Sequence, residues 1–151
     1  MSELIRLSHN VSLLIYHFVC PAKYRRVVFD EAVDEELKKV CQEIEMRYDI
    51  RFLEIGTDKN HVHFLIQSVP KVSATQIIRV VKSITAREIF ERCPHVKKKL
   101  WGGEFWSDGY YVSTVSHHGT EATIGKYIKE QGRQVEYKQL LTQQLSFFDE
   151  D

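Results

Sequence analysis

Two histidines one residue apart, His61 and His63, head an apolar run in "TDKNHVHFLIQSVP", residues 57 to 70, directly after the turn-forming "DKN". In a strand successive side chains point to opposite faces, so the two imidazoles share one face while Val62, Phe64 and Ile66 share the other. The apolar trio belongs in the core. The two-residue rise separates the imidazoles by roughly 7 Å along the strand, close enough for both to converge on one metal ion. With no cysteine nearby in sequence a structural zinc site is disfavoured, and nitrogen and oxygen ligands suit a catalytic divalent ion such as Mg²⁺ or Mn²⁺. By spacing alone, the pair also fits two polar residues on the solvent face of an antiparallel sheet.

The elements around the pair follow from pattern. Residues 11 to 20 are rich in Val, Ile, Leu, Phe and Tyr and stop at Pro21, which reads as a central strand. From Phe29 to Tyr48 the residues Val33, Leu37, Val40 and Ile44 recur at helical spacing after an acidic first turn at Asp30 and Glu31. Residues 50 to 57 and 61 to 69 form a hairpin about "DKN". Ser73 opens a second helix, with Ile77, Val80, Val81 and Ile84 on one side and Arg79, Lys82 and Arg87 on the other; Pro94 closes it. "HVKKKLWGG" reads as a basic loop, "YYVSTVS" at 110 to 116 as a fourth strand, and residues 121 to 131 as a helix stopped by Gly132. The order strand, helix, strand, strand, helix, strand predicts an α+β, ferredoxin-like (RRM-like) fold, a four-stranded antiparallel sheet with helices on one face, plus a C-terminal helix.

A chain of 151 residues, 43% hydrophobic, can bury a core as one domain, here residues 1 to 133, with 134 to 151 as a polar and acidic tail. Lys plus Arg equals Asp plus Glu at 21 each, so a polyanion must be held by local basic patches. Cys20, Cys41 and Cys93 form no Cys-x-x-Cys pair and read as reduced thiols in a cytosol. "VSLLIYHFVC" is too short to span a bilayer and contains His17.

"HVH" before an apolar strand resembles the HUH motif (His, hydrophobic residue, His) of single-strand DNA nucleases and transposases. "CPAKYRR", "TDKNHVHFLI", "LWGGEFWSDGYYVSTVS" and "IGKYIKEQ" stand in the order found in the single-tyrosine HUH transposases of small bacterial insertion sequences, over residues 11 to 133. The resemblance implies that Tyr127 is the nucleophile, forming a 5′-phosphotyrosine and freeing a 3′-hydroxyl. It implies that Gln131 joins His61 and His63 as the third ligand of Mg²⁺ or Mn²⁺. Residues four apart lie on one helical face, so Tyr127 and Gln131 project together. The family's dimers, in which the tyrosine helix can complete the partner's site, imply a homodimer, with "HHGT" at 117 to 120 as a hinge or a plain loop. His117 and His118 are not assigned to metal. Asn60 stands where many members carry Asp, "CPAKYRR" is one residue longer than the usual "CPKYRR", and "SHHG" replaces a more glycine-rich turn.

Family substrates are hairpin-bearing single-stranded DNA ends. Candidate contacts are Lys23, Arg25, Arg26, Arg79, Lys82, Arg87, Lys97, Lys98 and Lys99, near Tyr24, Trp101 and Trp106 for base stacking. In the tail, Gln144, Leu145, Ser146, Phe147 and Phe148 resemble the peptide with which bacterial proteins dock on the replication sliding clamp; a tail folded back on the domain is the alternative. A histidine-triad hydrolase needs a third histidine where Leu65 stands. A domesticated hairpin-repeat nickase, a replication-initiator nickase of the same superfamily and a noncatalytic RNA- or DNA-binding ferredoxin-like module remain open.

Overall fold

The computed structural model describes residues 13–115 and 137–143 throughout, together with short strand segments at Ser2–Glu3, Ile5–Leu7, Asn10–Ser12 and Leu145–Ser146. Five strands form one antiparallel sheet: β1 (Leu14–Pro21), β2 (Arg51–Thr57), β3 (His61–Ser68), β4 (Tyr111–Thr114) and β5 (Lys138–Thr142), in the order β4-β1-β3-β2-β5. The first four strands have the ferredoxin-like arrangement that the element order predicts. The fifth is an addition to the expected four-stranded sheet and comes from the segment read as a polar tail.

Helices α1 (Glu31–Glu45) and α2 (Ala74–Arg92) cover one face of the sheet. Both begin at a capping side chain. The Asp30 carboxylate accepts the Val33 N–H at 2.9 Å, and Ser73 and Gln76 exchange hydrogen bonds in a capping box, so orphan N–H groups at each start are satisfied. Val33, Leu37, Val40, Cys41 and Ile44 of α1 meet Ile77, Ile78, Val81 and Ile89 of α2 above Phe18, Phe52, Val62, Phe64 and Ile66 of the sheet. Arg92 ties the helices together outside the core, reaching Glu36, Glu43 and Glu88 at 3.3, 2.9 and 3.1 Å. The basic loop contains a single helical turn, α3 (Val96–Lys99), pinned by buried Val96. The three cysteines are free and buried, and burial pushes the Cys20 thiol up to about 12. Among the described residues no helix is long and apolar enough to cross a membrane.

The opposite face of the sheet is also largely buried. Ile15, Leu53 and Leu65 form a small second apolar cluster beside His17, His63 and Gln67, all 3% exposed or less. A bulge in β2 builds this layer. Phe52 pairs with Ile66 and Glu54 with Leu65, so Leu53 is the extra residue, and Leu53 and Glu54 both turn away from the helices.

Strand β5 is held at the sheet edge at both ends. The Lys138 ammonium lies 2.5 Å from the Asp34 carboxylate and donates to the Phe29 carbonyl at 2.8 Å; Gln143 donates to Glu45 and to the Phe52 carbonyl, each at 2.8 Å. Leu140 and Leu141 supply its share of the core.

Trp106 is 5% exposed, and its Nε1–H donates to Thr85 Oγ1 at 3.0 Å, which itself donates to the Val81 carbonyl. It is a core residue, not a stacking surface for bases. Thr85→Val keeps the shape but strands the indole N–H without a partner, a loss of about 1–3 kcal/mol. Thermal unfolding of that variant will show a melting temperature lowered by several degrees; an unchanged midpoint would mean that the indole contributes only by packing.

Candidate functional site

The β2–β3 hairpin brings three metal-ligating side chains together. Its turn is closed by the Asp58 N–H donating to the His61 carbonyl at 2.9 Å, which brings the Asp58 carboxylate alongside the imidazoles of β3. Asp58 Oδ2 lies 2.9 Å from His61 Nε2 and 3.7 Å from His63 Nε2, and one ligand atom from each residue lies within 4.8 Å of the others. The sequence points to the two histidines; it presents Asp58 only as a turn former.

Each imidazole is oriented through its other nitrogen. His61 Nδ1 lies 2.9 Å from Asn60 Oδ1, an oxygen that can only accept, so the N–H is on Nδ1. The side-chain amide of Asn60 therefore keeps an oxygen on the ring. His63 Nδ1 lies 3.1 Å from His17 Nε2, across β1. These two rings are within 12° of parallel with centroids 5.4 Å apart, a separation close to the nitrogen–nitrogen distance plus one ring width. They meet edge to edge, as a linear hydrogen bond requires, not face to face.

The donor set fits a divalent cation. Among the described residues, His63 Nε2 is buried with no hydrogen-bond partner and faces Asp58, the situation of an imidazole nitrogen kept for a metal. Ligand imidazoles must be neutral, and burial holds His63 so, lowering it to about 3; burial likewise lowers its partner His17 to about 4. His61 is lowered too, by burial first and by Arg25, against the pull of Asp58. Two nitrogens and one carboxylate oxygen on a half-open rim leave room for further ligands.

Tyr137 closes the second side. Its ring stands edge-on to His63 at 5.7 Å and 71°, and its hydroxyl donates to Glu54 Oε2 at 2.9 Å. Burial, reinforced by Glu54, raises the phenol well above its ordinary value, so it stays protonated. The ring crosses β2 at Gly56, where a Cβ would overlap it; this is the close approach that glycine permits.

The chain is similar to known proteins in sequence and in fold. The family described as "Transposase IS200 like" matches residues 10–131. The chain belongs to the IS200-like transposase family. The ISDra2 transposase TnpA of Deinococcus radiodurans is 33% identical over 118 residues, 78% of this chain and 84% of that protein. The transposase for insertion sequence element IS200 of Salmonella typhimurium is 34% identical over 129 residues, 83% of this chain and 81% of that protein. A crystal structure from D. radiodurans, provisionally assigned as a transposase, superposes with a TM-score of 0.65 at 32% identity, covering 83% of this chain and 96% of that one. As a member of this family the chain is a DNA-processing enzyme.

Of the residues singled out by sequence, His61 and His63 lie together beside Asp58, whereas Tyr127 and Gln131 lie outside the described residues, as do His117, His118, Gln144, Phe147 and Phe148; Leu145–Ser146 pairs in parallel with Ser2–Glu3. The basic candidates divide. Arg25, Arg26, Lys98 and Lys99 line one cavity with Tyr24 and Trp101. Lys23 is engaged by Glu104 at 3.0 Å, and Lys82 donates to the carbonyls of Ser107, Asp108 and Gly109 at 2.7 to 3.3 Å, which makes it a brace for that loop. Arg79 and Arg87 are exposed on α2 and Lys97 on α3, away from the lining of that cavity. His17 and Asp58 are the functional residues that sequence reasoning missed. A histidine in mid-strand of an apolar run, opposite in phase to Tyr16 and Phe18, was the available signal for His17.

His17→Phe removes the acceptor that orients His63. Calorimetric titration of the metal-free protein with Mn²⁺ will show affinity lowered about 10- to 100-fold. His17→Gln, whose side-chain oxygen can accept the same hydrogen bond, will lose less. Equal losses in the two variants would reduce His17 to a packing residue.

Proposed function

We propose that this protein cleaves and rejoins single-stranded DNA at hairpin-bearing element ends, through a covalent bond between Tyr127 and the DNA. The observation that carries this reading is the convergence of His61 Nε2, His63 Nε2 and Asp58 Oδ2, with both histidine Nδ1 atoms already engaged. Membership of a transposase family supplies the class of substrate.

His61, His63 and Asp58 would hold Mg²⁺ or Mn²⁺, with Gln131 as a further ligand by resemblance to the family. Bound there, the ion would polarise the scissile phosphate and stabilise charge on the leaving 3′-oxygen. The Tyr127 phenolic oxygen attacks phosphorus, the bond from phosphorus to the 3′-oxygen breaks, and the chain holds a 5′-phosphotyrosine while a 3′-hydroxyl is released. Because the phosphodiester energy is kept in the new bond, attack by a 3′-hydroxyl reverses the step and joins strands. Tyr137 does not compete as a nucleophile, because burial and its hydrogen bond to Glu54 keep its proton in place. The enzyme acts as a homodimer, with the tyrosine helix able to complete the partner's site, in the cytoplasm where single-stranded DNA is exposed during replication.

Incubation with end-labelled, hairpin-bearing single-stranded DNA from the flanks of the gene will give a denaturant-resistant protein–DNA band. That band will require Mg²⁺ or Mn²⁺ and will be absent with EDTA and in Tyr127→Phe. Hairpin binding without a covalent band in any metal would leave a noncatalytic nucleic-acid-binding protein instead.

A further inference from the structure

Strand β1 ends in a turn that is fixed on both sides. Ala22 is fully buried, its N–H donates to the Asn60 carbonyl at 2.8 Å, and the Lys23 N–H donates to the Phe105 carbonyl at 2.8 Å. Ser107 returns two bonds, from its N–H to Pro21 at 3.0 Å and from its hydroxyl to Ala22 at 3.1 Å. Directly after these anchors Tyr24 (φ 59°) and Arg25 (φ 53°) both take left-handed backbone. Two consecutive non-glycine residues in that region are costly, and such strain persists only where the surroundings impose it.

The strain lifts Tyr24 out of the fold. Tyr24 is 56% exposed, and its ring lies within 24° of parallel to that of Trp101, itself 74% exposed, with centroids 6.1 Å apart. An aromatic pair this bare at a protein surface calls for an occupant. The cavity it borders, about 660 Å³, is otherwise lined by Arg25, Arg26, Val27, Lys98 and Lys99, four cations and no carboxylate. Arg25 also lines the adjoining cavity, about 540 Å³, whose wall includes His61. One side chain therefore joins the aromatic pair to the rim of the metal-ligating cluster.

We infer that Tyr24 and Trp101 form a stacking platform for one unpaired nucleobase of the DNA strand, held next to the cleavage site with its flanking phosphates running over Arg25. Flat aromatic faces take any base, and the surrounding cations take the phosphates. A protein partner is disfavoured by four cations with no counter-charge among the lining residues, and a membrane surface by the lack of any further apolar side chain there except Val27. The inference deepens the proposed single-strand activity and rests on it for the identity of the ligand.

The test is an affinity scan with hairpin-bearing oligonucleotides from the gene flanks, each carrying one abasic site at a successive unpaired position, against wild type and Trp101→Ala in EDTA. Trp101 is exposed and not part of the core, so its removal will leave the melting temperature unchanged. One abasic position, within a few nucleotides of the cut, will weaken wild-type binding about tenfold, and Trp101→Ala will weaken binding to intact DNA by a similar factor. The two losses will not add: on that abasic DNA the variant and wild type will bind alike. Trp101→Phe, which keeps a ring, will be intermediate, and the salt dependence will be the same in all three proteins. Additive losses, equal sensitivity at all positions, or unchanged DNA affinity with an altered oligomer mass in Trp101→Ala would overturn the platform. The covalent-band assay is independent: a band with additive losses sinks the platform alone, whereas coupled losses without a band sink the cleavage reading and leave the platform standing.

Discussion

The antiparallel pairing of β2 with β3 is the constraint from which the site follows. Closing that hairpin on the Asp58 N–H and the His61 carbonyl sets a carboxylate beside two imidazoles that the strand's own period already directs to one side. The same period sends Val62, Phe64 and Ile66 into the core beneath α1 and α2, so the apolar burial that stabilises the fold also fixes the register of the ligands. A slip by one residue would place the histidines in the core and the apolar side chains at the metal position.

Burying imidazoles has a cost, and the surrounding residues offset it. Protonated histidine is disfavoured there, which removes charge from the interior and leaves the rings in the state that metal binding needs. Asn60 and His17 then satisfy one nitrogen of each ring, so that the remaining nitrogens face Asp58. Tyr137, admitted across the strand by Gly56 and tied to Glu54, closes the far side of His63. Because Tyr137 immediately precedes β5, the added edge strand helps to build this wall.

Much of this was legible in the sequence, and for identifiable reasons. The alternation from His61 to Phe64, the acidic first turn at Asp30, the helix start at Ser73 and the apolar stripes of both helices are local signals, and each produced the element it announced. What escaped depends on contacts between distant segments. Asp58 becomes a ligand candidate only once the hairpin closes, and His17 only once β1 is laid beside β3. The β2 bulge puts Leu53 and Glu54 on the same side, against alternation. Strand β5 carries only Leu140 and Leu141 as apolar residues among polar ones, too weak a pattern to stand out from a tail. Trp106 looked like a surface aromatic because nothing local reveals Thr85 as its partner.

The basic side chains show the same division between composition and placement. A neutral chain still presents a cationic surface where Arg25, Arg26, Lys98 and Lys99 gather, while Lys23 and Lys82 are spent on local carboxylates and carbonyls. The central claim, that one divalent ion is held by the hairpin, is tested most directly by anomalous scattering from crystals grown with Mn²⁺. The account predicts a single strong peak within coordination distance of His61 Nε2, His63 Nε2 and Asp58 Oδ2. A peak elsewhere, or none at saturating Mn²⁺ with both rings in their present orientation, would contradict it.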